Sequence, residues 1–294
     1  MPIKITIDVF SGIPNPVVEI AGKAAQDLLE RLKPAERLVA DEAEKAVTPI
    51  LGYRGLIVEQ TGATPSDKDM PTRFRVSSGA VVGGGLAHRA ADADFESFFF
   101  SSKGPFKKVK GAAKLRSIIQ QEVERSAEIR DQIVLPTFPF PIPLVCPCAP
   151  LYEPGWWNDG GQKQHNNNCY NYATNYRTDT FAQPGRAAGA MYSALTCASV
   201  RPAAIKDSLD DAPGANNKCP QEGHLVALVI APNVDFHWFR KGRNGYWSHK
   251  PGGTAVTNVD NSGHFISDPR TANRGIYTAF CTFMVVKHGH IKIN

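Results

Sequence analysis

Cys169 differs from the other cysteines of this sequence in what precedes it. It follows three asparagines in HNNNCYNYATN, residues 165–175. Asparagine is a strong helix N-cap, so the run predicts a helix that starts near Cys169. A thiol at a helix start is biased towards thiolate, and a neighbouring imidazole adds to the bias. The Cys169 amide, or one nearby, is a candidate donor to a developing oxyanion, with a side chain just upstream, such as His165 or Asn167, as the second. The base has to come from elsewhere. DFHWFRKGRNGYWSHKPG, residues 235–252, reads as a β-hairpin turning between Gly242 and Gly245. An odd-length loop centred on Arg243 sets His237 directly opposite His249 on one face, with Cβ atoms about 5 Å apart. A two-residue turn at Asn244–Gly245 breaks that pairing. His237 then takes the proton of Cys169 and His249 orients it, the nucleophile–base–orienter logic of a cysteine amidase.

Simpler readings stand beside this one. A buried cysteine often serves as a small apolar residue, and strand histidines are commonly packed. Asp235, Asn258, Asp260 and Asn261 are rivals to His249 as orienter, although TNVDNSG reads more simply as a turn. His224 opens an apolar strand and reads as structural. His288 and His290, even with His249 or His264, have no spacing that fixes a metal geometry. CPC (Cys146 and Cys148) has no second close pair to complete a four-ligand site. No metal and no organic cofactor is therefore expected. All six cysteines fall from residue 146 onwards, too sparse for a disulfide scaffold. Cys197 and Cys219 bracket a polar loop and are the pair to bridge after secretion; free thiols are the preferred expectation. Trp156, Trp157, Trp238 and Trp247 are candidates for a peptide groove, with core packing the plainer alternative.

The second half resembles the NlpC-type cell-wall peptidases, a papain-like group with a Cys–His–(His, Asn or Gln) circuit. Cys169 matches the nucleophile that opens their helix, EGHLVALV resembles their PGDLV turn and strand, and His237 and His249 match their histidine and the polar residue that follows. The likeness covers residues 165–255 and has no counterpart in residues 1–135. The chain departs from it in carrying Asn168, Tyr170 and Asn171 around the cysteine, and CYNYATN…QPG…DFHWFR…GYWSHKPG is closer to strings in uncharacterised bacterial and viral proteins. The resemblance implies a cysteine peptidase or amidase that cleaves a peptide or isopeptide through a thioester, with a peptidoglycan-like substrate among the candidates. Acyl transfer of the transglutaminase kind on the same site, and a non-catalytic binding or effector module of papain-like fold, are the alternatives. A bacterial toxin or effector is one setting for it.

These residues have to be positioned by two parts. IKITIDVF and VVEI alternate as strands around the turn residues SGIPNP. AGKAAQDLLERL has helical spacing, GLIVEQ and RFRVSSGAVV read as strands, and residues 112–134 form the longest helical pattern, with Leu115, Ile118, Ile119 and Val123 on one face and charges on the other. Residues 1–135 thus read as a small α+β module of unassigned role, a site for a protein partner. Residues 136–157 are too rich in proline for helix or central strand and read as an extended strap. Residues 158–294 predict a helix at Cys169, a second helix over RAAGAMYSALTCASV, then strands HLVALVIA, DFHWFRKG, GYWSHK and TAFCTFMVV. The fold class expected is α+β: a papain-like helix packed on an antiparallel sheet, behind the smaller module. At 294 residues, 42% hydrophobic and 21% charged, the chain has the composition of a folded protein rather than a disordered one. A net charge of +5 with a single basic run, Lys103–Lys114, does not point to a specific nucleic-acid partner. No apolar run suits a membrane span, and the start MPIKITIDVF does not read as a classical signal peptide, so cytoplasm is the default location, with leaderless or specialised export as the other route.

Overall fold

The computed structural model describes residues 2–62, 69–134, 136 and 145–294. The expected strap lies outside the described residues over 137–144. The chain is α+β, with helices and antiparallel sheets, and folds in two units. Met1–Val9, Asn15–Thr48 and Gly52–Ile133 form the first; Phe10–Pro14, Pro49–Leu51 and Val134–Asn294 form the second. Two short pieces of the N-terminal half thus belong to the second unit, which no composition shift announces.

The first unit holds strands β1 (Ile3–Asp8), β2 (Val17–Ile20), β3 (Pro34–Arg37), β4 (Gly55–Gln60), β5 (Arg73–Ser77), β6 (Ala80–Gly83) and β7 (Leu86–Ala90), and helices α1 (Lys23–Arg31), α2 (Ala40–Val47), α3 (Phe95–Phe100) and α4 (Ala112–Gln132). The strands pair antiparallel in the order β2-β1-β4-β5-β6-β7-β3. Alternation in β1 buries Ile3, Ile5 and Ile7 completely and leaves Lys4 and Thr6 half-buried. RFRVSSGAVV is two strands, because Ser78 (φ 51°) and Gly79 (φ 73°) both enter the left-handed region of a two-residue hairpin turn. The α4 face also differs from its pattern: Ile119 is buried beside Glu122, Ser126 and Arg130, while Leu115, Ile118 and Val123 are only half-buried. Arg130 goes inward because its Nη1 donates to the carbonyls of Lys45 and Thr48 at 2.6 and 3.0 Å. Asp8 is buried between Arg54 (2.6 Å) and Arg75 (2.8 Å). Burial alone would raise its pKa, but the two guanidiniums hold it well below the usual carboxylate range.

The second unit holds helices α5 (Pro154–Trp157), α6 (Gln162–Asn166), α7 (Cys169–Thr174) and α8 (Cys197–Lys206), and strands β8 (Asp210–Asp211), β9 (His224–Ala231), β10 (Asp235–Lys241), β11 (Trp247–His249) and β12 (Ala279–Val286). The antiparallel sheet runs β11-β10-β9-β12-β8. The continuous run HLVALVIA follows from its place: every β9 residue is buried. Val226, Leu228, Ile230, Phe236 and Trp238 pack with Cys169, Tyr170, Val200 and Ala204, whereas Ala227, Val229, Phe239 and Trp247 pack with Tyr277 and Phe283. The helix expected over 186–200 starts only at Cys197, since Gly185 (φ 78°) and Gly189 (φ 67°) turn the chain before it.

The cysteines depart from the expectation of free thiols. Disulfides join Cys146 to Cys219 and Cys197 to Cys281. Cys197 and Cys219 therefore do not pair with each other, because the fold brings each to a partner more than 70 positions away along the chain. Cys148 is an exposed free thiol and Cys169 a buried one.

Candidate active site

Asn168, the last of the asparagine run, caps α7 as its residue type demands. Asn168 Oδ1 accepts from the amides of Tyr170 (3.0 Å) and Asn171 (3.2 Å), and Asn171 Oδ1 accepts from the Asn168 amide at 3.1 Å. This is a capping box with asparagine in both places. The other end closes at Asn175, left-handed at φ 63°. Cys169 is thereby fixed as the first helical residue, with its Sγ 4.0 Å from the carbonyl oxygen of the peptide that joins Phe236 to His237. The Trp238 amide also faces the sulfur. Cys169 thus sits against β10 at the backbone on either side of His237, just before β11 begins to pair at Phe239.

The hairpin keeps both histidines on one face, with a register two residues from the expected one. Gly242 N donates to Tyr246 O at 2.8 Å and Gly245 takes φ 82°, closing a three-residue loop centred on Asn244 rather than Arg243. Phe239, not His237, is therefore opposite His249. His237 is its diagonal neighbour, and the rings still meet: His237 Nε2 is 3.0 Å from His249 Nδ1, and His249 Nε2 is 3.0 Å from the Val259 carbonyl. That carbonyl can only accept, so His249 Nε2 carries a proton. A neutral His249 then accepts at Nδ1, which puts the His237 proton on Nε2 and the His237 lone pair on Nδ1. Tyr277 and Phe239 pack against the His237 ring at 5.5 and 4.8 Å.

Three of the four rival orienters, Asp235, Asp260 and Asn261, are engaged elsewhere. Asp235 is fully buried and accepts from the amides of Ser11, Gly12 and Ile13 and from the Tyr277 hydroxyl. Burial raises its pKa, and those donors oppose the rise. Gly12 has to be glycine, because a Cβ there would lie 2.5 Å from the Phe236 ring and carbonyl. Asn261 exchanges two 2.8 Å bonds with the Leu51 backbone. Asp260 receives the amides of Ser262, His264 and Asn273, so the TNVDNSG turn meets the His249 ring through the Val259 carbonyl and the His249 backbone through Thr257.

The upstream oxyanion candidates do other work. Asn167 Nδ2 donates to the Lys163 carbonyl (2.7 Å) and to Asp179 (2.6 Å), while its Oδ1 accepts the Asp179 amide. The His165 ring nitrogens face the carbonyls of Gly253 and Gly160 at 3.0 and 3.2 Å. The Cys169 amide, beside its own sulfur, remains the donor the backbone supplies. Lys250 was not legible as part of the site. It is fully buried, donates to the carbonyls of Gln164 and Gly252, and its charge acts on the thiol; its place directly after His249 was the only signal in the sequence.

The resting site is closed. Cys169, His237 and His249 have 0%, 0% and 1% exposure. Burial, then the Asp235 charge, push the Cys169 thiol well above its ordinary range, against the pull of the Trp238 amide and Lys250. The thiolate bias expected at a helix start is thus overruled, because α7 is only six residues long and the sulfur is enclosed. Trp157, Trp238 and Trp247 are core and Trp156 is exposed, with Arg177 stacked 3.5 Å from its ring centre.

His224 donates from Nε2 to the Ala173 carbonyl at 2.7 Å, tying α7 to β9. Burial lowers its pKa to about 3. The fold therefore keeps this ring neutral while the unfolded chain protonates it below about pH 6.5, and its contribution falls by about 1.4 kcal/mol per pH unit on acidification. Asp207, pushed by burial up to about 6, acts in the opposite direction between that pH and its unfolded value. Comparison with His224→Gln isolates the histidine. The urea-unfolding advantage of wild type over the variant is expected to shrink steadily from pH 6.5 to pH 4; a constant difference would refute the neutral assignment.

No helix among the described residues is long and apolar enough to cross a membrane. No family model matches the chain, and no solved structure matches it. Insoluble matrix shell protein 1 of Ruditapes philippinarum is 46% identical over 141 residues, 47% of this chain and 91% of that protein.

Proposed function

The chain belongs to the family of insoluble matrix shell protein 1, and from that premise we propose that it is a matrix component carrying a cysteine amidase site of the NlpC-like, papain-like kind. The observation that carries this reading is the relay from the Val259 carbonyl through His249 to His237. It leaves the basic nitrogen on the imidazole whose backbone abuts the Cys169 sulfur. In the reaction, His237 Nδ1 takes the Cys169 proton and the thiolate attacks an amide carbonyl of a peptide or isopeptide. His237 then returns the proton to the leaving amine, and water, or a second amine in the transfer variant, resolves the thioester. Because the thiol is enclosed, segments around α7 have to open before substrate enters. The two disulfides support an oxidising compartment in place of the cytoplasmic default.

One observation favours a second reading, a non-catalytic matrix module: full burial of Cys169 with a raised thiol pKa. Acylation by p-nitrophenyl acetate separates the two. On the enzymatic reading, acyl lands on Cys169 and turns over, and Cys169→Ala abolishes the burst. His237→Ala slows acylation about 100-fold or more, while Cys148→Ser changes nothing. Acyl found only on Cys148, with Cys169→Ala indistinguishable from wild type, leaves the structural reading standing. Adding an amine nucleophile and identifying the product by mass distinguishes transfer from hydrolysis.

A further inference from the structure

We propose that a basic cleft in the first unit binds a small organic anion bearing sulfate or phosphate, independently of the Cys169 site. The cleft encloses about 300 Å³ between α1 and the segment Lys103–Lys108, within the range of small-molecule sites. Arg31, Lys103, Lys107 and Lys108 line it against a single carboxylate, Asp27. Arg31 is already committed: it bonds Asp92 at 2.6 Å and lies 4.1 Å over the Phe98 ring. Among the described residues the three lysines carry no ion pair, so three like charges line one concavity that holds a single carboxylate. Such convergence costs free energy in the empty cleft and is relieved by an anion.

The loop is built to hold them there. A Cβ on Gly104 would fall 2.1 Å from the Phe98 carbonyl, so glycine lets the lysine-bearing segment close onto α3. Lysine ammoniums act as point charges and suit tetrahedral oxyanions, while their stems with Ile20 and Leu28 supply an apolar floor for an organic body. Single-stranded nucleic acid fits less well, because Phe98, the one aromatic ring in the lining, is covered by Arg31 and offers no free stacking platform.

Calorimetric titration of the full chain at low salt, with inorganic pyrophosphate in one arm and a sulfated disaccharide in the other, tests this. Saturable binding in at least one arm is expected, and the tighter arm names the source of the oxyanion. The exposed triple charge reversal Lys103→Glu, Lys107→Glu, Lys108→Glu should weaken it about tenfold or more, with an unchanged melting curve. Lys206→Glu, on α8, should leave it intact. The proposal is overturned by a Kd above about 10 mM in both arms, by a triple variant that binds like wild type, or by binding of single-stranded oligonucleotide in preference to both probes.

Discussion

Reduction of the two disulfides makes the second unit unfold at urea concentrations that the oxidised chain withstands. The bridges close loops of 73 and 84 positions, and for loops of that length the chain-entropy model gives about 4 kcal/mol each. Domains keep a total margin of about 5–15 kcal/mol, so losing both removes much of it. The bridges also fix particular pieces. Cys146–Cys219 holds the segment whose Val145 and Cys146 amides both donate to the Arg243 carbonyl at 2.9 Å, in the loop of the histidine hairpin. Cys197–Cys281 ties the first residue of α8 to β12. Urea titration with and without dithiothreitol measures the combined effect, and Cys197→Ser or Cys219→Ser the separate ones, each expected at about 2–5 kcal/mol. A reduced chain with the oxidised midpoint would rule out stabilisation by the bridges, and with it the argument for an oxidising compartment.

Asp235→Ala is the second large effect, a loss of about 3–5 kcal/mol. Its carboxylate collects the amides of Ser11 (2.5 Å), Gly12 (3.2 Å) and Ile13 (3.0 Å) and the Tyr277 hydroxyl (2.6 Å), all in one place closed to water. Truncation leaves these donors without an acceptor, and each buried orphan is costly. Asp235→Asn keeps the shape but turns an amide towards the donors, so it should lie between wild type and alanine. The damage reaches Cys169, because the Gly12 carbonyl accepts from the side chains of Asn168, the α7 cap, and of Gln183, both at 2.8 Å. Alkylation of Cys169 by iodoacetamide should therefore speed up in Asp235→Ala relative to wild type, while Cys148 reacts equally in both. A stability change below about 1 kcal/mol, with Cys169 still protected, would show that the Ser11–Ile13 loop is held by other means.

The sequence by itself determined the local features. Asn168, the last of the three asparagines, specifies with Asn171 where α7 begins, since side-chain capping is decided within four residues. Alternation and continuous apolar runs placed β1, β4, β9, β10 and β12, and an odd loop between Gly242 and Gly245 was enough to keep His237 and His249 on one face. The exposed strand β3 gave no periodicity to read, and the helical pattern before Cys197 was cut short by glycines in a backbone conformation that composition does not reveal. Long-range pairing was equally invisible: Cys146 and Cys197 find partners that spacing alone did not select, and Phe10–Pro14 joins the second unit through Asp235, more than 220 positions away. The tertiary structure alone decided the state of the site. A main-chain carbonyl at Val259 fixes the histidine tautomers, and enclosure of the sulfur outweighs the six-residue helix in setting its pKa. Capping and periodicity act over a few neighbours, whereas desolvation depends on everything packed around an atom, which the order of residues specifies only once the chain has folded.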